Sequence, residues 1–413
     1  MARYIKSIKI NKLYHLHDFT IPVGDDENQN LLITGKNGSG KTILLNAMAD
    51  ALEILKNDEE LMFTGYEDSL RRNTERLQTQ TDMQQRAILT KRIKGLEDKQ
   101  EKLYGKVKME FDDIADIVGK YSSENFIIAF YPADRKAVFD EPKSIEKPNI
   151  TKKTRIKTTN TNQLLRFLSH NKIQELLAKG QNKEEKVLPI SNWFNEFEKM
   201  LKRIFEDENL LLSFNQEDYS FTILTGDKKF GFNQLSDGYA AVLDIVADLI
   251  LRMQTKDGII AKYDMGGIVL IDEVETHLHL ELQKIVMPLL TTLFPNIQFI
   301  VSTHSPFVLS SLKNATAYDL ENRQPLFGLT DYPFDSLAEG YFGVANESGY
   351  IQDKLNLMDD LLKKDTLRDS QKNDLKCMIE DFKRIPVALA PAVVGQYQTI
   401  LNNNAEKIKM WGL

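Results

Sequence analysis

The segment Gly35-Lys36-Asn37-Gly38-Ser39-Gly40-Lys41-Thr42 combines three glycines with a lysine and a hydroxyl in the spacing GxxxxGK[ST]. Glycines so placed let the backbone curl until successive N–H groups point at one oxyanion, and a helix starting at the end of the curl adds the positive end of its dipole. In that arrangement the Lys41 ammonium reaches the terminal phosphates of a nucleotide, and the Thr42 hydroxyl ligates its Mg²⁺. A second cluster lies far along the chain. Ile268-Val269-Leu270-Ile271-Asp272-Glu273 is an apolar run ending in two carboxylates, the pattern of a buried parallel strand that delivers acids at its carboxyl end. Asp272 then holds the metal, directly or through water, and Glu273 orients or deprotonates an attacking water.

Three further groups accompany these two. Leu235-Ser236-Asp237-Gly238-Tyr239 opens an apolar helical stretch through Ala241, Leu243, Ile245, Val246 and Leu249, with Ser236 standing 36 residues before Asp272. Alone, a serine there reads as an ordinary helix cap. Val301-Ser302-Thr303-His304-Ser305-Pro306 follows the strand-like run IQFI and places His304 32 residues after Asp272. Directly after Glu273 comes Glu275-Thr276-His277-Leu278-His279. Its histidines at i and i+2 could ligate zinc, but the spacing supplies no third ligand.

Chemistry of this kind requires rigid elements to deliver it. Residues 30–34, NLLIT, form a short apolar run ending at Gly35, and Leu44, Leu45, Met48, Ala49, Leu52 and Leu55 recur at helical spacing, so strand, glycine loop and helix follow in the required order. Residues 3–10 alternate like a half-buried strand with 16–23 as hairpin partner. Strand patterns return at 106–112, 125–131, 210–214 and 220–224, and helical periodicity at 164–177 and 193–205. From about Glu67 to Tyr104 the chain is polar and free of proline, with Ile93, Leu96, Gln100, Leu103 and Val107 alternating at three and four. That pattern fits either a short coiled-coil insertion or a solvated helix packed on the core. Pro132 to about Thr161 is rich in Pro, Lys and Thr and is predicted to be a mobile loop. Its Lys152, Lys153, Arg155 and Lys157 are either solvated or a focal nucleic-acid contact. Beyond Gly343 the pattern is helical to Leu413.

Bulk composition narrows the class further. A chain of 413 residues can bury a large core, in two or three domains or in one with insertions, and its 42% hydrophobic and 27% charged content is ordinary for a globular protein. A net charge of −7 argues against a uniformly basic, nucleic-acid-coating surface. Cys377 is the only cysteine, which rules out an intrachain disulfide and fits a reducing cytoplasmic setting. The opening MARYIKSIKINK lacks the apolar core of a signal peptide, and no run of 18 apolar residues occurs, so no membrane span is expected.

Taken in chain order, GKNGSGKT, LSDGY, the Asp272-Glu273 pair, ETHLH and STHSP resemble the motif series of ABC-type ATPases, from residue 1 to about 345. LSDGY resembles the signature LSGGQ in the acidic variant of non-transporter members such as RecF and the OLD family, and ETHLH resembles the D-loop of that subgroup. The chain also resembles stand-alone ATPases of bacterial antiphage defence, such as those of Septu, retron-associated and PARIS systems. The resemblance implies an α/β fold: an ABC-ATPase P-loop domain with mixed β-sheet, a helical or coiled-coil insertion and a C-terminal helical extension. It implies domain bounds of 1–66 and 106–345 for the ATPase, with a helical lobe at about 160–210, the insertion at 67–105, and a helical domain at 346–413. It also implies ATP and Mg²⁺ as cofactors, and a homodimer or larger oligomer in which Ser236, Gly238 and their helix terminus cap the γ-phosphate held by the other copy. His304 then contacts the γ-phosphate. No glutamine is assigned to the family's Q-loop, whose place is taken by YPADR with Asp134 and Arg135, and no aromatic adenine platform precedes Gly35. The amino-terminal hairpin resembles the base-contacting strand of RecF-like proteins, with Asn11 and Lys12 near the contact. OLD proteins append an acidic Toprim nuclease domain, whereas this sequence offers Glu321 and LAEGYFG and then helices. The implied role is therefore an ATPase regulating a separate HNH or Toprim nuclease. A DNA-clamping repair ATPase like RecF or SMC is the alternative, although 67–105 is far too short for an SMC arm.

Overall fold

The computed structural model describes residues 4–24, 29–55, 61–142, 144–150, 156–254, 263–331, 349–364, 366–383 and 391–412. The chain divides into two compact units, 1–332 and 333–413. In the first, β1 (Ile5–Leu13) turns back on β2 (Leu16–Pro22), and β3 (Asn30–Thr34) leads through the glycine segment into α1 (Lys41–Leu55). Helices α2 (Leu61–Thr79) and α3 (Met83–Tyr104) pack on each other as a hairpin, with Asp82 capping α3 by accepting the N–H groups of Gln84 and Gln85. Next come β4 (Val107–Phe111), α4 (Ile114–Ser122) and β5 (Phe126–Tyr131). Helices α5 (Leu164–Gly180) and α6 (Glu184–Phe205) precede three strands, β6 (Leu211–Phe214), β7 (Phe221–Thr225) and β8 (Lys228–Gly231). The unit ends with α7 (Asp237–Met253), β9 (Gly266–Ile271), α8 (Leu280–Leu293), β10 (Ile297–Ser302), α9 (Pro306–Leu309), β11 (Ala315–Asp319) and β12 (Gln324–Leu326).

Three sheets result. The central one has the order β12-β11-β3-β10-β9-β5 and is parallel except for β12, which runs antiparallel on β11. Its strands β3, β5 and β10 are buried at every position, which explains why NLLIT, FIIAFY and IQFIVS read as continuous apolar runs rather than alternating ones. An antiparallel sheet β2-β1-β4 packs with α1 and the central sheet around one core that includes Ile8, Ile10, Leu44, Met48, Leu270 and Ile300. Gln298 stitches the two sheets: its Oε1 accepts the N–H groups of Tyr4 (3.0 Å) and Ile5 (2.7 Å), and its Nε2 donates to the carbonyls of Ile5 (3.1 Å) and Gln29 (2.8 Å). A buried amide with both ends satisfied fixes register as well as proximity. The third sheet, β6-β7-β8, is antiparallel and lies beside α5 and α6, whose Trp193 is buried and stacked on Phe197.

Residues 132–142, 144–150 and 156–160 form no helix or strand, yet the segment is tied down. Ile156 is buried, its N–H donates to Glu53 of α1 (2.8 Å), and its carbonyl accepts the Phe130 N–H (2.9 Å). Lys157 pairs with Asp50 at 2.9 Å and lies over the Phe130 ring. Positions 152, 153 and 155, the other three of the four basic residues grouped with Lys157, and the segment LAEGYFG lie outside the described residues. The second unit consists of helices α10 (Gly349–Leu362), α11 (Asp369–Lys383), α12 (Pro391–Asn403) and α13 (Ala405–Trp411), closed over a core of Leu355, Met358, Leu375, Ile379, Phe382 and Tyr397. Among the described residues no helix is long and apolar enough to cross a membrane.

Candidate functional site

The parallel strands β3, β10 and β9 leave the sheet at one edge, so the segments that follow them converge there. After β3, the three glycines take left-handed backbone angles, with φ of 140° at Gly35, 83° at Gly38 and 101° at Gly40. A Cβ at Gly35 would lie 2.9 Å from Ser39 Oγ, and one at Gly40 would lie 2.9 Å from Leu16 Cδ1. The curl's backbone angles therefore demand glycine. Lys36, Asn37 and Gly38 are exposed on the curl, while the Ser39 hydroxyl is buried without a hydrogen-bond partner. At the first position of α1, Lys41 is buried and its Nζ donates to the carbonyls of Gly35 (2.8 Å) and Lys36 (3.3 Å). Thr42 follows with its side chain exposed.

From the next strands come the acids and the histidine. Asp272 is buried at the end of β9, and the Ser302 hydroxyl, at the end of β10, donates to its Oδ1 at 2.5 Å while accepting the Glu273 N–H at 2.8 Å. One hydroxyl thus orients both acidic residues. Glu273 has φ of 43°, a left-handed conformation rare for a side chain of its size. The His304 N–H donates to the carboxylate of Glu275, which joins the segment after β10 to the segment after β9. Burial lowers the Lys41 ammonium from its usual range, and the carboxylates of Glu273, Glu275, Asp272 and Asp319 oppose that shift. Burial, followed by the Lys41 charge, likewise lowers the His304 imidazole against the pull of Glu273 and Asp272. Lys41, Asp272, Glu273 and His304 therefore form one electrostatic cluster.

Ser236 and Gly238 stand elsewhere. Ser236 is the N-cap residue of α7, but its exposed hydroxyl makes no capping bond. Gly238 faces the ETHLH segment: a Cβ there would lie 2.9 Å from the His277 carbonyl. Tyr239 stacks on Phe205 and meets the His279 ring edge-on. Among the described residues no hydrogen bond or ion pair joins Ser236 or Gly238 to the Gly35–Thr42 loop, and no group of three or more His, Cys, Asp and Glu side chains could hold a metal.

Several residues near the site carry no motif signal. In the hairpin, His15 Nε2 bonds the Ser39 carbonyl at 3.0 Å. The turn after β11 brings Glu321 to Lys36, with Nζ to Oε1 at 3.2 Å. Helix α7 is locked to the end of β5 by Asp248, which accepts from Tyr131 Oη (2.8 Å), Arg252 Nε (2.7 Å) and Asn160 N (2.6 Å). Tyr131 in turn accepts the Asp272 N–H through its carbonyl at 2.8 Å.

Residues 126–310 match the family model described as "AAA domain, putative AbiEii toxin, Type IV TA system". The "Retron Vc95 probable ATPase" of Vibrio cholerae serotype O1 biovar El Tor is 23% identical over 424 residues, covering 84% of this chain and 81% of that one. The Septu protein PtuA of Bacillus mycoides (strain KBAB4) is 33% identical over 147 residues, 35% of this chain and 20% of that protein. The crystal structure of an SMC head bound to the C-winged helix domain of ScpA aligns at a TM-score of 0.36 and 14% identity, over 76% of this chain and 94% of that one. That likeness is too distant to add to the sheet order. Residues 126–310, which carry the carboxylates and histidine of the cluster, therefore match an AAA-domain family model, in a chain similar over most of its length to a probable retron ATPase.

Proposed function

We propose that the chain binds and hydrolyses ATP with Mg²⁺ as an ABC-type ATPase, holds nucleotide between two copies of itself, and thereby regulates a separate effector nuclease in bacterial antiphage defence. The reading is carried by the convergence of Lys41, Asp272, Glu273 and His304 beside a glycine curl at the carboxyl edge of a parallel sheet. Backbone N–H groups of the glycine loop take the phosphates, and Lys41, now tethered to two carbonyls, turns its ammonium to the β and γ oxygens. The hard oxygen donors Thr42 and Asp272 suit Mg²⁺, which when bound neutralises charge on the phosphate oxygens. Glu273 accepts the proton of the attacking water or orients it, and His304 contacts the γ-phosphate.

Two observations support a shared site. The Ser236 hydroxyl is exposed and free of capping duty, and among the described residues no hydrogen bond or ion pair joins it to the chain's own glycine loop. A second copy would place that terminus over the γ-phosphate, where its dipole favours an anion. Regulation of an HNH or Toprim nuclease rests on similarity to the retron and Septu proteins. Lys157, paired with Asp50 and set over Phe130, is committed to the fold, which weakens the alternative of a DNA clamp through that loop.

The purified chain is expected to hydrolyse ATP slowly with Mg²⁺. Lys41→Ala should abolish nucleotide binding, measured with a fluorescent ATP analogue. Glu273→Gln should bind ATP and accumulate as an ATP-dependent dimer in light scattering, and a monomer under those conditions would refute the shared site. Cleavage of nucleic acid by the chain alone would refute the separate effector.

A further inference from the structure

Arg135 lies four residues beyond the end of β5, the parallel neighbour of β9, so its segment and the acids leave the sheet at the same edge. Its side chain is buried. The guanidinium directs Nη1 to the carbonyls of Asp272 (3.2 Å), Glu273 (3.4 Å) and Pro132 (3.3 Å), and Nη2 to that of Val274 (2.9 Å). Three consecutive carbonyls can meet one planar cation only where the chain turns sharply, and the middle residue of that turn is Glu273 with its φ of 43°. A forked, delocalised donor suits such a set of acceptors, whereas a lysine offers a single point charge. On α7, Asp244 is buried and lies among the charges acting on Arg135.

We propose that Arg135 is a positioning residue for hydrolysis: by gathering the carbonyls of Asp272, Glu273 and Val274 it holds the left-handed turn that aims the Glu273 carboxylate. It touches backbone alone at the acids, so its effect falls on the rate of the chemical step and not on nucleotide affinity. The proposal rests on the ATPase reading above for its catalytic consequence, while the turn it stabilises exists independently of that reading.

The test uses the full chain with Arg135→Lys and Arg135→Gln. Steady-state hydrolysis should show kcat reduced about 10- to 100-fold in both, as for small misplacements of a reacting group, with the KM for ATP and the affinity for a fluorescent ATP analogue within about threefold of wild type. Amide exchange of residues 272–276 should accelerate, with that of 268–271 unchanged. Wild-type kcat in Arg135→Lys, or a KM rise that accounts for the whole loss, would overturn the proposal. Stability supplies a readout without activity: in a Glu273→Gly background, where glycine adopts the turn unaided, Arg135→Lys should destabilise less than in the wild-type background. Equal destabilisation in both, or failure of the Arg135 variants to fold even with Gly at 273, would assign Arg135 a merely structural role and overturn the proposal. Absence of ATP hydrolysis by the wild-type chain would sink the ATPase reading instead, leaving exchange and the double-mutant comparison to decide on the turn.

Discussion

Replacing Gly238 by alanine separates two demands made on the LSDGY segment. Gly238 is the second residue of α7, where alanine's helix propensity alone would favour the folded state by up to about 1 kcal/mol. The added Cβ, however, would stand 2.9 Å from the His277 carbonyl oxygen, a backbone atom that cannot swing aside. Forcing such a contact into a packed region costs about 1–3 kcal/mol, so the net change should be a loss of about 0–3 kcal/mol. Gly119 provides the control. It lies within α4, in the same unit, and a Cβ there meets nothing within 4 Å. Gly119→Ala should therefore stabilise by about 0.5–1 kcal/mol, and the difference between the two variants isolates the contact. Urea unfolding followed by tryptophan fluorescence suits the measurement. The chain has two tryptophans, and in a Trp411→Phe background the buried Trp193 reports the first unit alone. Equal stabilisation by the two alanines would refute the reasoning and leave Gly238 answerable only to a ligand.

Two further outcomes concern the surroundings of the site. Asp248→Ala strips the buried Arg252 of its partner at 2.7 Å and should cost about 3–5 kcal/mol in urea unfolding, with Asp248→Asn milder; a loss under 1 kcal/mol would show that the network is solvated. Burial pushes the Glu175 carboxyl up, but hydrogen bonds from Lys172, Lys179 and Ser191 together outweigh it and hold it at about 2 against an ordinary 4.5. Because the folded state holds the lower value, the stability Glu175 confers is present above pH 4.5 and is lost as the pH falls to about 2. The stability gap between wild type and Glu175→Gln should close across that window, and a gap that persists at its acid end would count against the assignment.

Much of this arrangement was legible in the sequence because its signals are local. A glycine curl between an apolar run and an amphipathic helix fixes β3, the loop and α1 from adjacent residues, and acids or histidine closing an apolar run announce β9 and β10. What escaped depends on contacts between distant residues. Arg135 sits in a segment without regular structure, and its acceptors are carbonyls 137 to 139 positions away, which no side-chain pattern encodes. Ser302 was visible within STHSP, but its bridging of Asp272 and Glu273 follows only from the β9–β10 register. Strands β8, β11 and β12 are three to five residues long, too short for an alternation to emerge, and α4 is a nine-residue helix whose cue was the capping Asp113. Among the described residues of 132–160 the loop expectation captured the absence of helices and strands, but the anchoring of Ile156 and Lys157 to α1, at odds with a wholly mobile loop, depends on partners about 100 residues earlier.

The position of β3 in the central sheet bears on how the protein comes into being. Its two neighbours are β10 and β11, and a strand that carries the glycine curl by residue 35 has no edge to pair with until residue 297 and beyond have been made. At ordinary synthesis rates of 5–20 residues per second that interval is roughly 15–50 s. During it the hydrophobic strand β3 and the start of α1 await partners, and pairings so distant in sequence form slowly. A nascent chain therefore acquires the geometry of its glycine curl nearly last, when the ribosome has delivered almost the whole first unit. Truncation anywhere before β10 should leave a product unable to assemble the loop at all.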